Sequence, residues 1–357
     1  MKTQSIRILC IGETWLGSDP HGAFLGFRRL GHSVHIIDES NFVSQAWHST
    51  AARVIRKLFR PILVRELYLE ARRAAHTFKP QGVFVFKGNS VHPNVIRFYR
   101  QAGVPTVNFY PDVSFQVHGK YIPKALPLYD HVFTTKSWGI ADMHNQLGLK
   151  SVSYLEHGFD PDVHRPLPLS DEDKQAYGCD VVFIGTWSPR KEELIGFLRK
   201  KMPQVVVKIW GSQWDKSRTP GLCPCVMGTE VIGDDYVRAL LGGSIALGLL
   251  SEKRKGASSG DLTTSRTFNI PACGAFMLHE RTQEVLRYFI EGEEAAFFAS
   301  PDELVRQVTH YLSHPPEREN VARAGRERSL VAGYSLDCRM QKVVDYFSNF
   351  REQRPKA

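Results

Sequence analysis

No run of about 18 apolar residues occurs in the 357-residue chain, which argues against a membrane-spanning helix. The N-terminal stretch MKTQSIRILCIGE passes directly into a strand-like segment instead of a signal-peptide pattern, and a cytoplasmic protein is expected. Two common nucleotide motifs are also missing. The loop Gly12-Glu-Thr-Trp-Leu-Gly17-Ser-Asp-Pro-His-Gly22 does not fit G-x-G-x-x-G, and no G-x-x-x-x-G-K-[ST] occurs, which argues against nicotinamide, flavin and P-loop chemistry. Cysteine is sparse. Cys10, Cys179, Cys223, Cys225, Cys273 and Cys338 are scattered through mostly apolar segments and imply no disulfide framework. Cys223-Pro-Cys225 is too short to make a zinc site without distant ligands. Acidic residues are outnumbered, 37 against 46 Lys and Arg, and the net charge of +9 suits a polyanion, an anionic membrane or a phosphate-bearing substrate.

What is present is alternation. Val-, Ile- and Phe-rich runs recur between helical patterns, as in a parallel sheet with crossover helices. Strands are expected at 6–12, 33–39, 82–88, 105–110, 131–135 and 152–158, and again at 179–185, 205–211, 244–250, 275–280 and 294–300. The length suits two cores. Residues 157–173, rich in Pro and Asp, read as a linker, so the expected fold is α/β with two Rossmann-like doubly wound domains, 1–165 and 166–333. A C-terminal helix at 334–357 is free to return to the first domain. Ser300-Pro-Asp-Glu303 predicts a helix start for DELVRQVTHYL, ending before Pro315-Pro316.

In open α/β sheets ligands bind beyond the carboxyl ends of the strands, so the loops there hold the candidates. Gly185-Thr186-Trp-Ser-Pro-Arg190-Lys191 brings two cations to a helix N-terminus, an arrangement that suits an anion, although a solvated first turn explains the same residues. Trp210-Gly211 ends another strand, where a base could stack or the indole could belong to the core. The mobile-looking SEKRKGASSGDLTTSR (251–266) leads into a short helix at 265–273 that should end at Gly274. Arg266 at its start can hold a diphosphate bidentately, and Asn269 one turn on suits a ribose or sugar hydroxyl.

RTFNIPACGAFMLHERT (266–282), EHGFDPDVHRP (156–166) and FIGTWSPRKEELI (183–195) together resemble the CgeB-like glycosyltransferases, a bacterial group with the GT-B fold. The similarity extends to FKGNSVHP (86–93) and NFYPDVSF (108–115). The resemblance implies transfer of a sugar from a nucleotide-diphosphate sugar to an acceptor hydroxyl in a cleft between two facing domains, with the donor held mainly by the second. It implies neither a cofactor nor a metal. Carried over, Gly185, Thr186, Arg190 and Lys191 lie near the diphosphate, and Thr264, Arg266 and Thr267 near the phosphates or sugar. Similar proteins usually have a glutamate, gripping the ribose diol, where this chain has Asn269. Asp160-x-Asp162 and Asp171-x-Asp173 match a D-x-D metal signature superficially, and turn and capping roles are expected for them.

On the acceptor side the candidates are His21, Lys87, Asn89, His118 and His157, with Asp112 the preferred base for an inverting transfer and Glu156 a runner-up. Asp112 also suits an ordinary turn after proline. Catalysis is thus assigned to Asp112 with Arg266, Arg190 and Lys191, the cations stabilising the departing diphosphate. The segment 52–75 interleaves Arg53, Arg56, Lys57, Arg60 and Arg65 with aliphatic residues, which fits either an anionic inner-membrane surface or packing on the sheet. A sugar-nucleotide binder without catalysis and a basic nucleic-acid binder are the alternative functions, the latter supported by no motif.

Overall fold

The computed structural model describes residues 4–42, 50–228 and 230–352, with backbone only over 50–58. The chain forms two compact units. Unit 1 comprises residues up to Glu156, Lys253–Ser259 and the segment from Leu336 on, and unit 2 comprises His157–Glu252 and Gly260–Ser335.

Unit 1 runs β1 (Arg7–Gly12), α1 (Asp19–Arg29), β2 (Ser33–Asp38), α2 (Thr50–Thr77), β3 (Gly82–Phe86), α3 (Pro93–Gln101), β4 (Thr106–Tyr110), α4 (Ile122–Ala125), β5 (His131–Thr134), α5 (Gly139–Leu147) and β6 (Val152–Tyr154). The sheet is parallel, in the order β2-β1-β3-β4-β5-β6. Every residue of β3 and β4 is buried, as expected when helices cover both faces of a sheet. The strand expected at 152–158 stops at Tyr154, which pairs with Thr134, the last residue of its neighbour β5; Glu156, beyond it, lies 3.8 and 3.9 Å from Arg339 and Lys342.

Unit 2 continues with α6 (Asp171–Tyr177), β7 (Cys179–Ile184), α7 (Pro189–Lys201), β8 (Val207–Trp210), β9 (Val226–Gly228), α8 (Asp234–Gly242), β10 (Gly243–Gly248), α9 (Ser265–Ala272), β11 (Met277–Glu280), β12 (Ala296–Phe298), α10 (Pro301–Ser313) and α11 (Pro315–Val331). Its parallel sheet has the order β12-β11-β10-β7-β8-β9. Both units are therefore doubly wound α/β domains. The chain reverses its direction of growth between β1 and β3 in one sheet and between β7 and β10 in the other.

Local chemistry sets the helix ends. Ser300 caps α10 by accepting the Glu303 N–H at 3.2 Å, and Gly274, at φ 82°, lets the chain leave α9 in a conformation that disfavours other residues. Ser170 and Asp173 form a capping box, and Asp160 accepts the Asp162 N–H at 3.2 Å, so these acidic residues serve caps and turns. The helix α10 ends at Ser313, before Pro315-Pro316 as expected, and a new helix starts at Pro315. This proline occupies the first turn of α11, where its missing N–H costs nothing.

Residues 157–165 already pack in unit 2, ahead of the expected boundary at 165: Phe159 donates to the Tyr334 carbonyl at 3.1 Å, and Arg165 pairs with Asp234 at 3.1 Å. The last helix, α12 (Leu336–Glu352), belongs to unit 1. Arg29 of α1 holds Asp337 through Nε and Nη2, at 2.9 and 2.6 Å from Oδ1, while Met340, Val343 and Phe347 enter the core beside Phe24, Phe27 and Phe84. Phe347 is fully buried, and its ring lies where a Cβ on Gly82 would be, 2.9 to 3.0 Å away. Phe347→Ala is expected to cost about 3–5 kcal/mol in urea unfolding, the usual loss for a large buried aromatic. A change below about 1 kcal/mol would contradict this account of α12.

Candidate functional site

In unit 2 the sheet reverses between β7 and β10, so a ligand should meet the loops that follow those two strands. After β7 the backbone of Gly185 donates to the Trp210 carbonyl at 2.9 Å, and its own carbonyl accepts the Trp214 indole N–H at 2.9 Å. Gly211 passes so close that an added Cβ would sit 2.1 Å from the Gly185 oxygen, and its φ of 147° also favours glycine. Two glycines thus bring these strand ends together.

Arg266, in the first turn of α9, lies over this junction. Its Nη2 donates to the Leu249 carbonyl beyond β10 at 2.6 Å, and its Nη1 is 3.0 Å from where a Gly185 Cβ would be. The guanidinium carbon is 5.5 Å from the Phe183 ring centroid, and the Lys191 ammonium is 5.9 Å from the same ring. Lys191 is buried and donates to the Thr186 carbonyl at 3.1 Å. The exposed Thr186 hydroxyl is 3.1 Å from Ser212 Oγ. Gly185, Thr186, Lys191 and Arg266 are therefore brought together at one strand end.

The first N–H groups of α7, expected to be free for an anion, are used internally. Ser188 Oγ accepts from Lys191 N–H at 3.5 Å, and Glu252 Oε1 accepts from both the Arg190 N–H (3.0 Å) and Ser188 Oγ (2.8 Å). Burial works to raise the Glu252 pKa, but these hydrogen bonds and the Lys191 charge outweigh it and hold the carboxyl below its usual range. Arg190 is likewise engaged. Its guanidinium pairs with the buried carboxylate of Glu280, which also accepts the Leu250 N–H at 2.6 Å.

Other residues of the expected donor set turn inward. Trp210 packs in the core, 5.9 Å from the Tyr177 ring, instead of facing a base. Thr267 is fully buried; its hydroxyl accepts the Thr264 N–H at 3.0 Å and meets His279 Nε2 at 2.9 Å. Burial lowers the His279 pKa to about 4, which keeps this pair neutral. Thr264 is itself buried at the start of α9. Asn269 is also buried, yet its Oδ1 makes no hydrogen bond among the described residues, which leaves an acceptor unused on α9. Glu192, Glu252 and Glu280 escaped sequence reasoning, since carboxylates in these runs carry no motif. Each ties loop or helix-start groups of unit 2 together.

In unit 1 the corresponding reversal lies between β1 and β3. Lys87, directly after β3, adopts φ 63°, a left-handed conformation uncommon for lysine, and its ammonium reaches Asp112 beyond β4 at 2.7 Å. His118 Nε2 lies 3.4 Å from the same Asp112 oxygen. Burial tends to raise the Asp112 pKa, but Lys87, His118 and Lys136 outweigh it and lower the pKa, so the carboxylate stays charged. Burial likewise lowers the His118 pKa, aided by Lys87 and Arg254 and opposed by Asp112. A neutral imidazole therefore sits beside a charged carboxylate.

Of the remaining acceptor candidates, Asn89 follows Lys87 in the same loop, where its carbonyl accepts from Arg60 at 3.3 Å. His21 lies in the first turn of α1, where its N–H donates to Ser18 Oγ at 3.3 Å. His157, expected on the acceptor side, is buried and belongs to unit 2, because the chain after Glu156 packs against the segment before α12. Glu156 is paired with α12, as described above, and not with the Lys87 group. In α2, Val64, Leu67, Ala71 and Ala74 face the core, while Phe59, Ile62, Arg65, Leu69, Arg72 and Arg73 are exposed. The side chains of Arg53, Arg56 and Lys57 lie outside the described residues. No helix among the described residues is long and apolar enough to cross a membrane.

Residues 190–345 match the protein family described as glycosyl transferase-like. No curated protein matches the chain by sequence. By structure, sucrose-phosphate synthase from Thermosynechococcus elongatus is similar with a TM-score of 0.68 at 13% identity, over 98% of this chain and 100% of that one. A glycosyltransferase from Rickettsia africae has a TM-score of 0.64 at 10% identity, over 99% and 100%. HepE of Anabaena, solved with UDP-glucose, has a TM-score of 0.62 at 12% identity, over 96% and 100%. The fold is accordingly of the GT-B type, with two Rossmann-like domains.

Glu192 gives the loops of unit 2 a pH-dependent anchor. Its Oε1 accepts from Arg218 N–H, Thr219 N–H and Thr219 Oγ1, each at 2.7 Å, and its Oε2 accepts from the Trp187 indole at 2.6 Å. Burial opposes the charge, but these bonds prevail and lower the pKa to about 2. A depressed folded pKa gives stability that is present above the unfolded carboxyl pKa and lost as pH falls through the folded value. Glu192→Gln should therefore cost about 2–3 kcal/mol at neutral pH, and the gap to the wild type should close as pH falls from about 4.5 towards 2. A pH-independent difference in denaturant midpoints would contradict the anchor.

Proposed function

We propose that the protein is a nucleotide-sugar-dependent glycosyltransferase of the CgeB-like kind, acting in bacterial glycan or surface-polysaccharide synthesis. The observation that carries this reading is Arg266, whose guanidinium lies over the Gly185 backbone and the Phe183 ring at the reversal point of unit 2. A guanidinium fixed there suits the diphosphate of the donor, with Lys191 adding charge beneath it and Arg190 available if its pair with Glu280 opens. The unused Asn269 oxygen suits a sugar or ribose hydroxyl. No metal or cofactor enters the proposal.

The acceptor hydroxyl is assigned to unit 1. A neutral His118 can take its proton, and the Asp112 carboxylate then stabilises the imidazolium. Asp112 itself is the weaker base, because Lys87 already stabilises its ionised form. This modifies the assignment made from sequence. A transfer that inverts the sugar needs such a base. The exposed apolar and basic side chains of α2 suit an acceptor on an anionic lipid surface, which would place the protein in the cytoplasm at the inner membrane.

A nucleoside diphosphate at about 100 times its Kd should stabilise the fold by about 2.7 kcal/mol. A panel of nucleotides in thermal shift, with mass spectrometry for nucleotide released from nucleotide-sugars, tests this; no shift and no release would overturn the proposal, whereas binding without release favours a binder that has lost catalysis. Arg266→Ala should lose about 2–4 kcal/mol of transition-state stabilisation, roughly 30- to 1000-fold in kcat/KM, and Asn269→Ala nearer 1 kcal/mol. A correctly folded Arg266→Ala with unchanged kinetics would remove Arg266 from the site.

Turnover should also rise with pH and level off below the ordinary histidine value of about 6.5, since the His118 pKa is lowered and its neutral form is the active one. An unchanged acid limb in His118→Gln would assign the base elsewhere. Finally, the protein should co-sediment with anionic vesicles at low salt and be released as ionic strength rises. Equal recovery on neutral vesicles would point to a soluble acceptor.

A further inference from the structure

Apart from the groups used above, unit 2 carries a cluster of nitrogen and oxygen ligands where α10 meets α11. His310 stands in the last turn of α10, His314 at the junction and Glu317 in the first turn of α11. One nitrogen of each imidazole and one carboxylate oxygen lie within 4.8 Å of one another. His310 Nε2 is 2.9 Å from Glu317 Oε2, and the two imidazoles are stacked with centroids 4.3 Å apart.

His314 Nδ1 lies 2.7 Å from the His310 carbonyl. A carbonyl can only accept, so Nδ1 carries the proton in neutral His314 and Nε2 keeps the lone pair. A backbone bond of this kind is what orients a metal-binding histidine. The frame is braced as well, since Arg318 Nη1 donates to the Tyr311 carbonyl at 2.6 Å and Arg318 N–H to the His314 carbonyl at 3.1 Å. The three ligands are thus held near one another before any ion arrives.

We propose that His310, His314 and Glu317 form a binding site for a borderline divalent cation, of which Zn2+ is the best match. Two imidazoles and a carboxylate form a donor set suited to zinc, with water completing the coordination, whereas Mg2+ and Ca2+ favour oxygen ligands alone. An ion pair between His310 and Glu317 accounts for two of the residues, but at this exposure it contributes little, and the bond from His314 to the His310 carbonyl uses Nδ1 and not Nε2. The site lies away from the donor groups. Arg318, next to Glu317, lines a recess with Gly243 and Phe276, at the starts of β10 and β11, whereas Arg266 and Gly185 stand at the opposite strand ends. A bound ion would clamp α10 to α11 and take no part in sugar transfer.

The test uses untagged, metal-stripped protein titrated with Zn2+ by calorimetry and by competition with a chromophoric zinc indicator. The expected result is one equivalent bound near pH 7.5, weakened about tenfold or more in His310→Ala and in His314→Ala. Excess Mg2+ should not compete. Circular dichroism of these exposed-site variants checks that they fold. Saturable binding unchanged in the His310→Ala, His314→Ala double variant overturns the proposal, as does binding lost on replacing the exposed thiol in Cys223→Ser. So does the absence of saturable binding in the wild type.

Discussion

A parallel sheet covered by helices on both faces can present chemistry only beyond its strand ends, and in unit 2 this constraint converges on the approach of Gly185 to Gly211. Their backbones come too close for a side chain on Gly211, and that closeness gives Arg266 a floor of peptide and aromatic ring to lie on. The guanidinium is held by the Leu249 carbonyl on one side and the Phe183 ring below. A cation placed this way loses little further freedom when an anion arrives, which is the condition for electrostatic stabilisation of a leaving group.

Carboxylates balance the charge around it. Glu252 occupies the start of α7 and Glu280 receives Arg190, so two of the positive features near the strand ends are neutralised within the protein. Arg266 and Lys191 meet at the Phe183 ring beside Gly185. In unit 1 the balance runs the other way, with Lys87, His118 and Lys136 gathered around the Asp112 carboxylate. That arrangement keeps Asp112 ionised and leaves His118, whose pKa is lowered chiefly by burial, as its neutral partner.

The elements were legible in the sequence because they depend on local pattern. Valine-rich runs buried on both faces, Ser300 as a cap and Gly274 in the left-handed region each follow from a few neighbouring residues. The partners of the site residues were not legible in the same way. Arg190 and Arg266 look alike in sequence, and what separates them is Glu280, far along the chain and brought opposite Arg190 by the pairing of β10 with β11. Thr267, expected near the phosphates or sugar, turns inward, and Trp210 takes the core position that stood open beside base stacking, for a related reason. Whether a strand-end tryptophan or a first-turn threonine faces ligand or core depends on Tyr177 and His279, whose positions are tertiary facts.

The central claim is that the ends of β7 and β10 receive a nucleoside diphosphate through Arg266. Hydrogen exchange read by mass spectrometry, with and without saturating UDP-sugar or the nucleotide that binds best, tests it most directly. The account predicts slowed exchange in the peptides covering 183–192 and 249–270, lost in Arg266→Ala. Protection confined to other segments, or unchanged by Arg266→Ala, would contradict it.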